Sequence, residues 1–270
     1  MSDKLVFTLL GTGSSGGVPR VGNDWGKCDP NNPKNRRRRC AMLVERSRSD
    51  GMKTTVMIDA GADLREQLLA ADVKLLDALL LTHSHADHIF GLDDVRQLAI
   101  THKSSIDVYM DEFTSSIVMS AFGYCFNQAV GSSYPAFCTE HRIEHHQAIC
   151  LEGQGGIVEA MPIVAEHGDI QALGFKINNI IYLPDVKRVS DERSLEALDN
   201  ADVLIVDALR RHPHPTHLNL EECLAFIERH KPAKAILTNM HSDMDYAELQ
   251  GSLPDTIVPG YDGLSFEVLL

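Results

Sequence analysis

Four strong metal-ligand side chains fall within six positions of the chain, directly after an apolar run. The run covers residues 78–81, and the ligand types that follow it are His83, His85, Asp87 and His88, in H-x-H-x-D-H spacing. A buried strand that ends in a turn leaves its last side chains at the rim of a sheet. We therefore expect His83 and His85 to bind one ion and Asp87 and His88 to face a second. Imidazole with carboxylate suits zinc, manganese or iron.

Strands of the second half also end in possible ligands. Hydrophobic patterning predicts strands at 157–165, 180–183, 203–206 and 235–237. The ligand-type residues that follow them are His167, Asp185, Asp207 and His241. Because strand after strand finishes with such a residue, we expect the strand ends to converge on one edge. The alternation of strands and helices, without a linker, predicts two β-layers of one sandwich. A histidine-rich polar turn alone would not explain these additional ligands.

Further predicted elements frame this pattern. We expect strands at 4–10, 41–45, 54–58, 105–110 and 172–177, and helices at 63–71, 89–100 and 112–126. Hairpin turns are predicted at 49–51 and 154–156, where glycines follow polar residues. The first strand is expected to place Leu5, Phe7 and Leu9 on one face and Val6, Thr8 and Leu10 on the other.

The H-x-H-x-D-H motif after an apolar strand resembles the signature of the metallo-β-lactamase fold superfamily. Within it, the sequence is most similar to the cyclic-phosphate phosphodiesterases of the carbon–phosphorus lyase pathway. The segments that carry this closer resemblance are Gly-Thr-Gly-Ser-Ser-Gly-Gly-Val-Pro at 11–19, the arginine-rich segment that ends in Arg39-Cys40, and 217–220, while the superfamily resemblance extends to 260–263. The resemblance implies an α+β fold, a four-layer αββα sandwich with the metal site at one edge of two sheets. It extends over a single domain at 1–270.

The resemblance also implies a binuclear site for two divalent ions, Zn²⁺ or Mn²⁺. The ligands would be His83, His85 and His167 for the first ion, Asp87, His88 and His241 for the second, and Asp185 as the bridge. Two such ions lower the pKa of a shared water and stabilise charge on phosphoryl oxygens. The expected reaction is attack of the resulting hydroxide on a small phosphodiester, cyclic or nucleotide-like.

Catalysis of this reaction needs an acid for the leaving oxygen. His217 matches the position of a catalytic histidine in the phosphodiesterase subfamily, and an imidazolium can donate that proton. His212 and His214 are its rivals. Asp87 is expected among the catalytic residues as well as the ligands. Asp59, at the end of a strand, would orient ligand imidazoles.

Three other functions remain open at this point. A ribonuclease Z-like RNA endonuclease shares the ligand set, but its family carries a basic, glycine-rich arm that nothing here resembles. Thioester or lactone hydrolysis uses a similar site without explaining the His217 segment. A binding module could use the ions only to hold a nucleotide.

Charge and composition narrow the partners. The formal net charge is −13, whereas proteins that grip long nucleic acid usually present a basic surface. No apolar run approaches the roughly 20 residues of a membrane span. The start of the chain reads as a strand rather than a signal peptide, and six cysteines lack C-x-x-C spacing, so we expect a cytoplasmic protein. The expected partner is a small substrate, without long nucleic acid or membrane, and a homodimer stays open.

The segment between the first two strands holds two further motifs. Its glycines at 11–17 are followed by Val18-Pro19-Arg20 rather than a helix, which excludes a Walker or dinucleotide loop and favours the rim of the active site. The run Arg36 to Arg39 is typical of a solvated face, although one guanidinium could pair with phosphate. The sequence does not indicate which one.

Two clusters are expected to bind no metal. In the phosphodiesterases that this sequence resembles, the corresponding loop holds a structural zinc site made of several cysteines and a histidine. Here Cys28 stands alone and Met244 occupies the place of that histidine, so we predict no structural zinc. His141, His145 and His146 lie in a polar stretch and are expected at the surface.

Overall fold

The computed structural model describes residues 3–128 and 130–270. Two seven-stranded mixed sheets form its centre. The first is built from β1 (Lys4–Gly11), β2 (Ala41–Ser47), β3 (Lys53–Ile58), β4 (Ala78–Leu80), β5 (Ile106–Met110) and β6 (Cys138–Arg142). The second contains β7 (Ile149–Leu151), β8 (Val158–His167), β9 (Ile170–Ile177), β10 (Ile180–Leu183), β11 (Val203–Asp207), β12 (Lys234–Thr238) and β13 (Ile257–Pro259). The final strand, β14 (Ser265–Leu269), returns to the first sheet beside β1.

Strand direction brings the ends of many strands to one edge. In the first sheet β3, β4, β5 and β6 are mutually parallel, and in the second sheet β10 to β13 are parallel. Strand β8 is antiparallel to β9, which is antiparallel to β10, so β8 and β10 point the same way. The carboxyl ends of β8, β10, β11 and β12 therefore lie at a common edge, as predicted for the ligand-bearing strands.

Helices cover the outer face of each sheet. Those on the first sheet are α1 (Leu64–Ala70), α2 (Ala86–Ile89), α3 (Arg96–His102) and α4 (Glu112–Phe126). Those on the second are α5 (Glu192–Leu198), α6 (Leu220–His230) and α7 (Tyr246–Ser252). Short 3-10 turns occupy Pro33–Asn35 and Leu92–Val95.

Three apolar clusters hold these layers together. The middle cluster joins the two sheets and contains Phe7 from β1 and Phe175 from β9, both fully buried. A second cluster packs α1 to α4 on the first sheet, and a third packs α5 to α7 on the second. Burial of apolar surface on both faces of each sheet is what a four-layer arrangement requires. The predicted αββα sandwich is confirmed.

The helix predicted at 89–100 is wrong as a single element. The chain there forms α2, a 3-10 turn and α3 instead. The break occurs at Gly91, whose backbone N–H donates to Ala60 at 2.8 Å. A Cβ on Gly91 would lie 2.1 Å from the carbonyl oxygen of Gly61, so the two backbones touch at a point where only glycine fits. This close approach fixes the metal motif against the loop after β3.

The long segment between β1 and β2 lies over the same edge. Gly13 bridges to Arg39 and to Met240, and the N–H of Ser14 donates to the Met240 carbonyl at 3.2 Å. The glycine-rich loop therefore runs beside the end of β12, without a helix after it, as predicted. Among the described helices, none combines the length and apolar character needed to cross a membrane.

Candidate metal centre

Three histidines converge at the edge where the sheets meet. His83 and His85 follow β4, and His167 is the last residue of β8. His83 Nε2 lies 3.0 Å from His85 Nδ1, and His167 Nε2 lies 3.3 Å from the same atom. Burial lowers the pKa of His83 well below its usual value and also lowers the pKa of His167. Both rings are therefore held neutral, the form that binds metal.

A second group of ligand atoms surrounds His88. Its Nε2 lies 3.2 Å from Asp185 Oδ2 and 3.4 Å from Asp87 Oδ2. Asp87 and His88 are both carried by α2, and Asp185 follows β10. Asp185 also reaches towards the first group, since its Oδ1 lies 4.0 Å from His167 Nε2. The carboxylate of Asp185 thus lies between the two groups.

Unpaired atoms show that this site fits a cation. His88 Nε2 and Asp185 Oδ2 are buried and make no hydrogen bond of good geometry within residues 3–128 and 130–270. Leaving such atoms unsatisfied costs about 1–3 kcal/mol each. Burial disfavours a charge on His88, but the nearby carboxylates outweigh burial and raise its pKa well above the usual value. A site that attracts positive charge in this way, with imidazole and carboxylate donors, suits divalent ions.

Asp59 fixes the ring of His88. Its Oδ2 lies 2.7 Å from His88 Nδ1, and its Oδ1 accepts hydrogen bonds from the backbone N–H and hydroxyl of Thr82 at 2.9 Å. Asp59 is fully buried and has φ +67°, an unusual backbone conformation for a residue with a side chain. These contacts leave His88 Nε2 as the ring atom that faces the site.

His241 stands apart from these groups in the described structure. It lies three residues after β12, its ring is partly exposed, and its Nδ1 is 3.5 Å from Asp243 Oδ1. Its Nε2 lies 3.2 Å from the Nη1 of Arg20, a residue of the glycine-rich segment. The two groups contain six of the seven predicted ligands. The seventh, His241, contacts Arg20 instead.

His217 forms a pair with Asp207 beside the ligands. Its Nδ1 lies 2.7 Å from Asp207 Oδ2 and 3.6 Å from Asp185 Oδ1. Its ring packs edge-on against His167, with 4.5 Å between centroids. Asn239 donates to both carboxylates at 3.2 Å. Because Asp207 occupies Nδ1, Nε2 is the atom of His217 left for substrate.

The rivals of His217 differ in position. His214 lies next to it, with 5.0 Å between ring centroids, and its Nδ1 accepts from the Thr216 backbone at 3.3 Å. His212 is exposed, and its carbonyl accepts from Arg210. The structure therefore favours His214 over His212 as the second candidate.

The four arginines have different surroundings. Arg38 pairs with Asp262 at 3.1 Å and Arg39 with Asp63 at 2.8 Å. Arg37 is 2% exposed, so a solvated face is the wrong description for it. Its Nη1 lies 3.7 Å from the sulfur of Cys28, because the segment folds back on itself. Arg36 is exposed.

The other predicted surface histidines make ordinary contacts. His141 lies on β6 and is 2.9 Å from Asp107, and His146 is 3.4 Å from Asp191. His141, His145 and His146 are all partly exposed, and none of them belongs to the ligand groups formed by the described residues.

Replacing Cys28 by Ser is expected to leave the metal content and the melting temperature nearly unchanged. The sulfur of Cys28 lies 3.7 Å from the Nη1 of Arg37, and the buried side chain of Met244 offers no nitrogen ligand. Elemental analysis and thermal unfolding of both proteins test this. Cys223→Ser, another buried thiol, is the control for burying a hydroxyl. Loss of one equivalent of zinc from the Cys28 variant alone would show a structural site.

Comparison with known proteins places this site in a family. The family model of the β-lactamase superfamily domain matches residues 54–240. This range includes six of the seven predicted ligands and ends one residue before His241. The chain belongs to the β-lactamase superfamily. The match confirms the predicted superfamily and the prediction of a metal-dependent hydrolase.

Similar structures share the whole fold of this superfamily member. A crystal structure of a diphosphatase from the PhnP family is 35% identical, with a TM-score of 0.86 over 99% of this chain and 98% of that one. The short form of human tRNase Z is 17% identical, with a TM-score of 0.63 over 97% and 98% of the two chains, and so shows the fold alone.

One curated relative is a longer protein. An octanoyltransferase of Porphyromonas gingivalis is 31% identical over 259 residues, which are 95% of this chain and 50% of that protein. The superfamily member therefore spans half the length of this relative, and the relative's name describes the longer chain.

Sequence reasoning missed three functional candidates. Asp207 was noted only as a strand end, although a carboxylate beside a candidate histidine suggests a pair. Asn239 and Arg20 carried no signal, because each contacts residues more than 20 positions away in the chain.

Proposed function

We propose that the chain hydrolyses a phosphoric ester or anhydride bond of a small molecule with two divalent ions. The observation that carries this proposal is the position of the His217–Asp207 pair directly beside the ligand groups, with His217 Nδ1 3.6 Å from Asp185. A metal site alone would serve many hydrolases. A positioned acid next to it serves a leaving oxygen that needs a proton.

The predicted ligands form two sets, one for each ion, with one residue shared between them. His83, His85 and His167 would hold one ion, Asp87, His88 and His241 the second, and Asp185 both. When bound, the ions supply an activated water and neutralise charge on the phosphoryl oxygens. Asp59 keeps the ring of His88 in place through the hydrogen bond at Nδ1.

His217 would protonate the leaving oxygen. Burial opposes a charge on its ring, but the hydrogen bond with Asp207 and the negative charges of nearby carboxylates outweigh burial and raise its pKa. Burial raises the pKa of Asp207 to about 7, a shift that His217 opposes. The pair therefore holds a proton near neutral pH, the range in which a general acid is most useful.

Comparisons favour a small phosphorylated substrate over the other functions. The structure with 35% identity is a diphosphatase, and the net charge of −13 disfavours a long RNA footprint. A thioester releases a thiolate, a leaving group that needs little protonation, so thioester hydrolysis gives the His217–Asp207 pair a smaller role.

A substrate panel tests the proposal. Protein loaded with manganese or zinc is assayed on cyclic phosphates, linear diesters, diphosphates, monoesters, thioesters, lactones and a transfer-RNA precursor. We expect the highest kcat/KM on a diester or diphosphate. Faster cleavage of the RNA, or of a thioester or lactone, would replace this function.

Asp207→Asn is expected to move the high-pH limb of the kcat profile to lower pH by about 1 unit. Loss of the carboxylate lowers the pKa of His217, so the acid form disappears earlier as pH rises. The control is Asp199→Asn, which alters a similar pair in which Asp199 lies 2.7 Å from the buried His230. An unchanged high-pH limb in the Asp207 variant would separate that limb from His217.

A further inference from the structure

Asn239 has a fixed position next to the candidate metal centre. It follows β12, it is buried, and its φ of +59° is left-handed, a conformation that asparagine adopts more readily than most residues. On one side, the N–H of Ala208 donates to the Thr238 carbonyl at 3.0 Å. On the other side, the N–H of Met240 donates to the Thr12 carbonyl at 2.9 Å. The backbone therefore determines where the Asn239 amide lies.

The amide of Asn239 donates to two buried carboxylates. Its Nδ2 lies 3.2 Å from Asp185 Oδ1 and 3.2 Å from Asp207 Oδ1. An amide nitrogen carries two N–H groups, so one is available for each carboxylate. The opposite orientation would place the amide oxygen against both carboxylate oxygens, which repel it. The amide thus connects the predicted bridging ligand to the partner of His217.

His217 has a second set of neighbours besides Asp207. Its Nδ1 lies 2.7 Å from Asp207 Oδ2 but also 3.6 Å from Asp185 Oδ1, the oxygen to which Asn239 donates. In the part of the chain that the structure describes, His167, Asp185 and His217 also form a group whose ligand atoms lie within 4.8 Å of one another. The ring of His217 therefore lies where it can serve as an acid or as a metal ligand.

The hydrogen bonds of Asn239 favour the acid. Because Asp185 Oδ1 already accepts from the amide, His217 gains less by turning towards that oxygen. The other N–H of the amide holds Asp207 in the position where it accepts from His217. A histidine binds metal as the neutral imidazole, so a ring that joined the ligands would lack the proton that an imidazolium donates.

We propose that Asn239 is a positioning residue that keeps His217 paired with Asp207 and out of the metal ligands. This inference rests on the proposed function and deepens it, because Asn239 acts on the reaction through His217. If the amide is removed, Asp185 Oδ1 loses a donor, and His217 Nδ1 is closer to this oxygen than His167 Nε2 at 4.0 Å. Metal coordination and proton donation should therefore change together.

Cobalt(II) is the probe for coordination, because the intensity of its visible absorption bands depends on the number and kind of its ligands. Asn239→Gly removes the amide without straining the left-handed backbone. We expect its cobalt spectrum to differ from that of the native protein, because His217 joins the ligands. A double variant that also carries His217→Ala should return the native spectrum, since it removes the ligand that was gained.

Turnover of metal-loaded protein measures proton donation. Asn239→Gly should lower kcat by about 10²-fold on a diester with a poor leaving group, the lower end of the loss typical of a missing general acid. KM should stay nearly unchanged, because the amide acts on the acid rather than on substrate binding. The loss should nearly vanish for a p-nitrophenyl diester, whose leaving group needs no proton.

Two further variants separate donation from shape and from backbone effects. Asn239→Asp keeps the shape of the side chain but replaces the N–H donor by an oxygen, so it should show the same loss of kcat. Asn178→Gly is the matched control, because Asn178 is an exposed asparagine with φ +55° in the turn between β9 and β10. Its cobalt spectrum and kcat should be native.

Three results would overturn the positioning role while the hydrolase function stood. They are a native cobalt spectrum in Asn239→Gly, a changed spectrum that His217→Ala does not restore, and native kcat in Asn239→Asp. If the native protein bound cobalt but hydrolysed no phosphoric ester or anhydride, the proposed function would fail instead. The spectra of the single and double variants would then still decide whether Asn239 keeps His217 out of the ligands.

Discussion

Asp185→Ala is expected to lose most of the bound metal and to abolish hydrolysis. The Asp185 carboxylate is 3% exposed, and it is the group that approaches both sets of ligands, with 3.2 Å to His88 Nε2 and 4.0 Å to His167 Nε2. Its removal also takes away the negative charge that offsets the cations. Elemental analysis of the purified variant, together with turnover of the best substrate, measures both losses.

A matched control distinguishes this effect from general damage. Asp255→Ala removes an exposed carboxylate before β13 and should keep native metal content and activity. Circular dichroism of the Asp185 variant should show the native secondary structure, because the three apolar clusters are untouched. Retention of two ions at full activity would exclude Asp185 as the bridge.

His217→Ala is expected to lower kcat by about 10²–10⁴-fold on a substrate with a poor leaving group while both metals remain bound. The reason is that His217 Nδ1 is held by Asp207, which leaves the ring for proton donation rather than for an ion. The loss should shrink for a p-nitrophenyl diester, since p-nitrophenolate leaves without a proton. Parallel kcat measurements on the two substrates give the ratio.

The alternatives to this role predict different data. His230→Ala, which removes a buried histidine paired with Asp199, should lower stability and leave the leaving-group dependence native. Equal losses for good and poor leaving groups would remove His217 from the acid role, and His214, next to it, would then be tested. Loss of one metal would identify His217 as a ligand, because its nitrogen also lies close to His167 and Asp185.

Much of the fold followed from local pattern. Apolar runs predicted Ile180–Leu183 and Glu112–Phe126 to the residue, because strand and helix periodicity are encoded over a few neighbouring positions. The helix through Gly91 failed, since its break depends on a contact with Gly61, 30 residues earlier. Helix α6 was missed although Asn219 and Glu222 form a capping box that marks its start.

The candidate site was predictable where ligands follow strands. His83, His85, Asp87 and His88 lie in one local motif, and the ends of β8 and β10 supply His167 and Asp185. Contacts between distant loops were not predictable in this way. Arg20 meets His241 across 221 positions, and Arg36 meets the ring of Trp25 only after the segment has folded.

The arrangement of the ligands on two sheets has a mechanical consequence. The first sheet and its motif present one set of donors, while His167 and Asp185 come from the second sheet. If the proposed ions are bound by both sets, they would connect the two sheets, and part of their binding free energy would stabilise the packing of the sheets against each other. Removal of the metal would therefore lower the free energy of unfolding and, under the proposed function, also abolish hydrolysis.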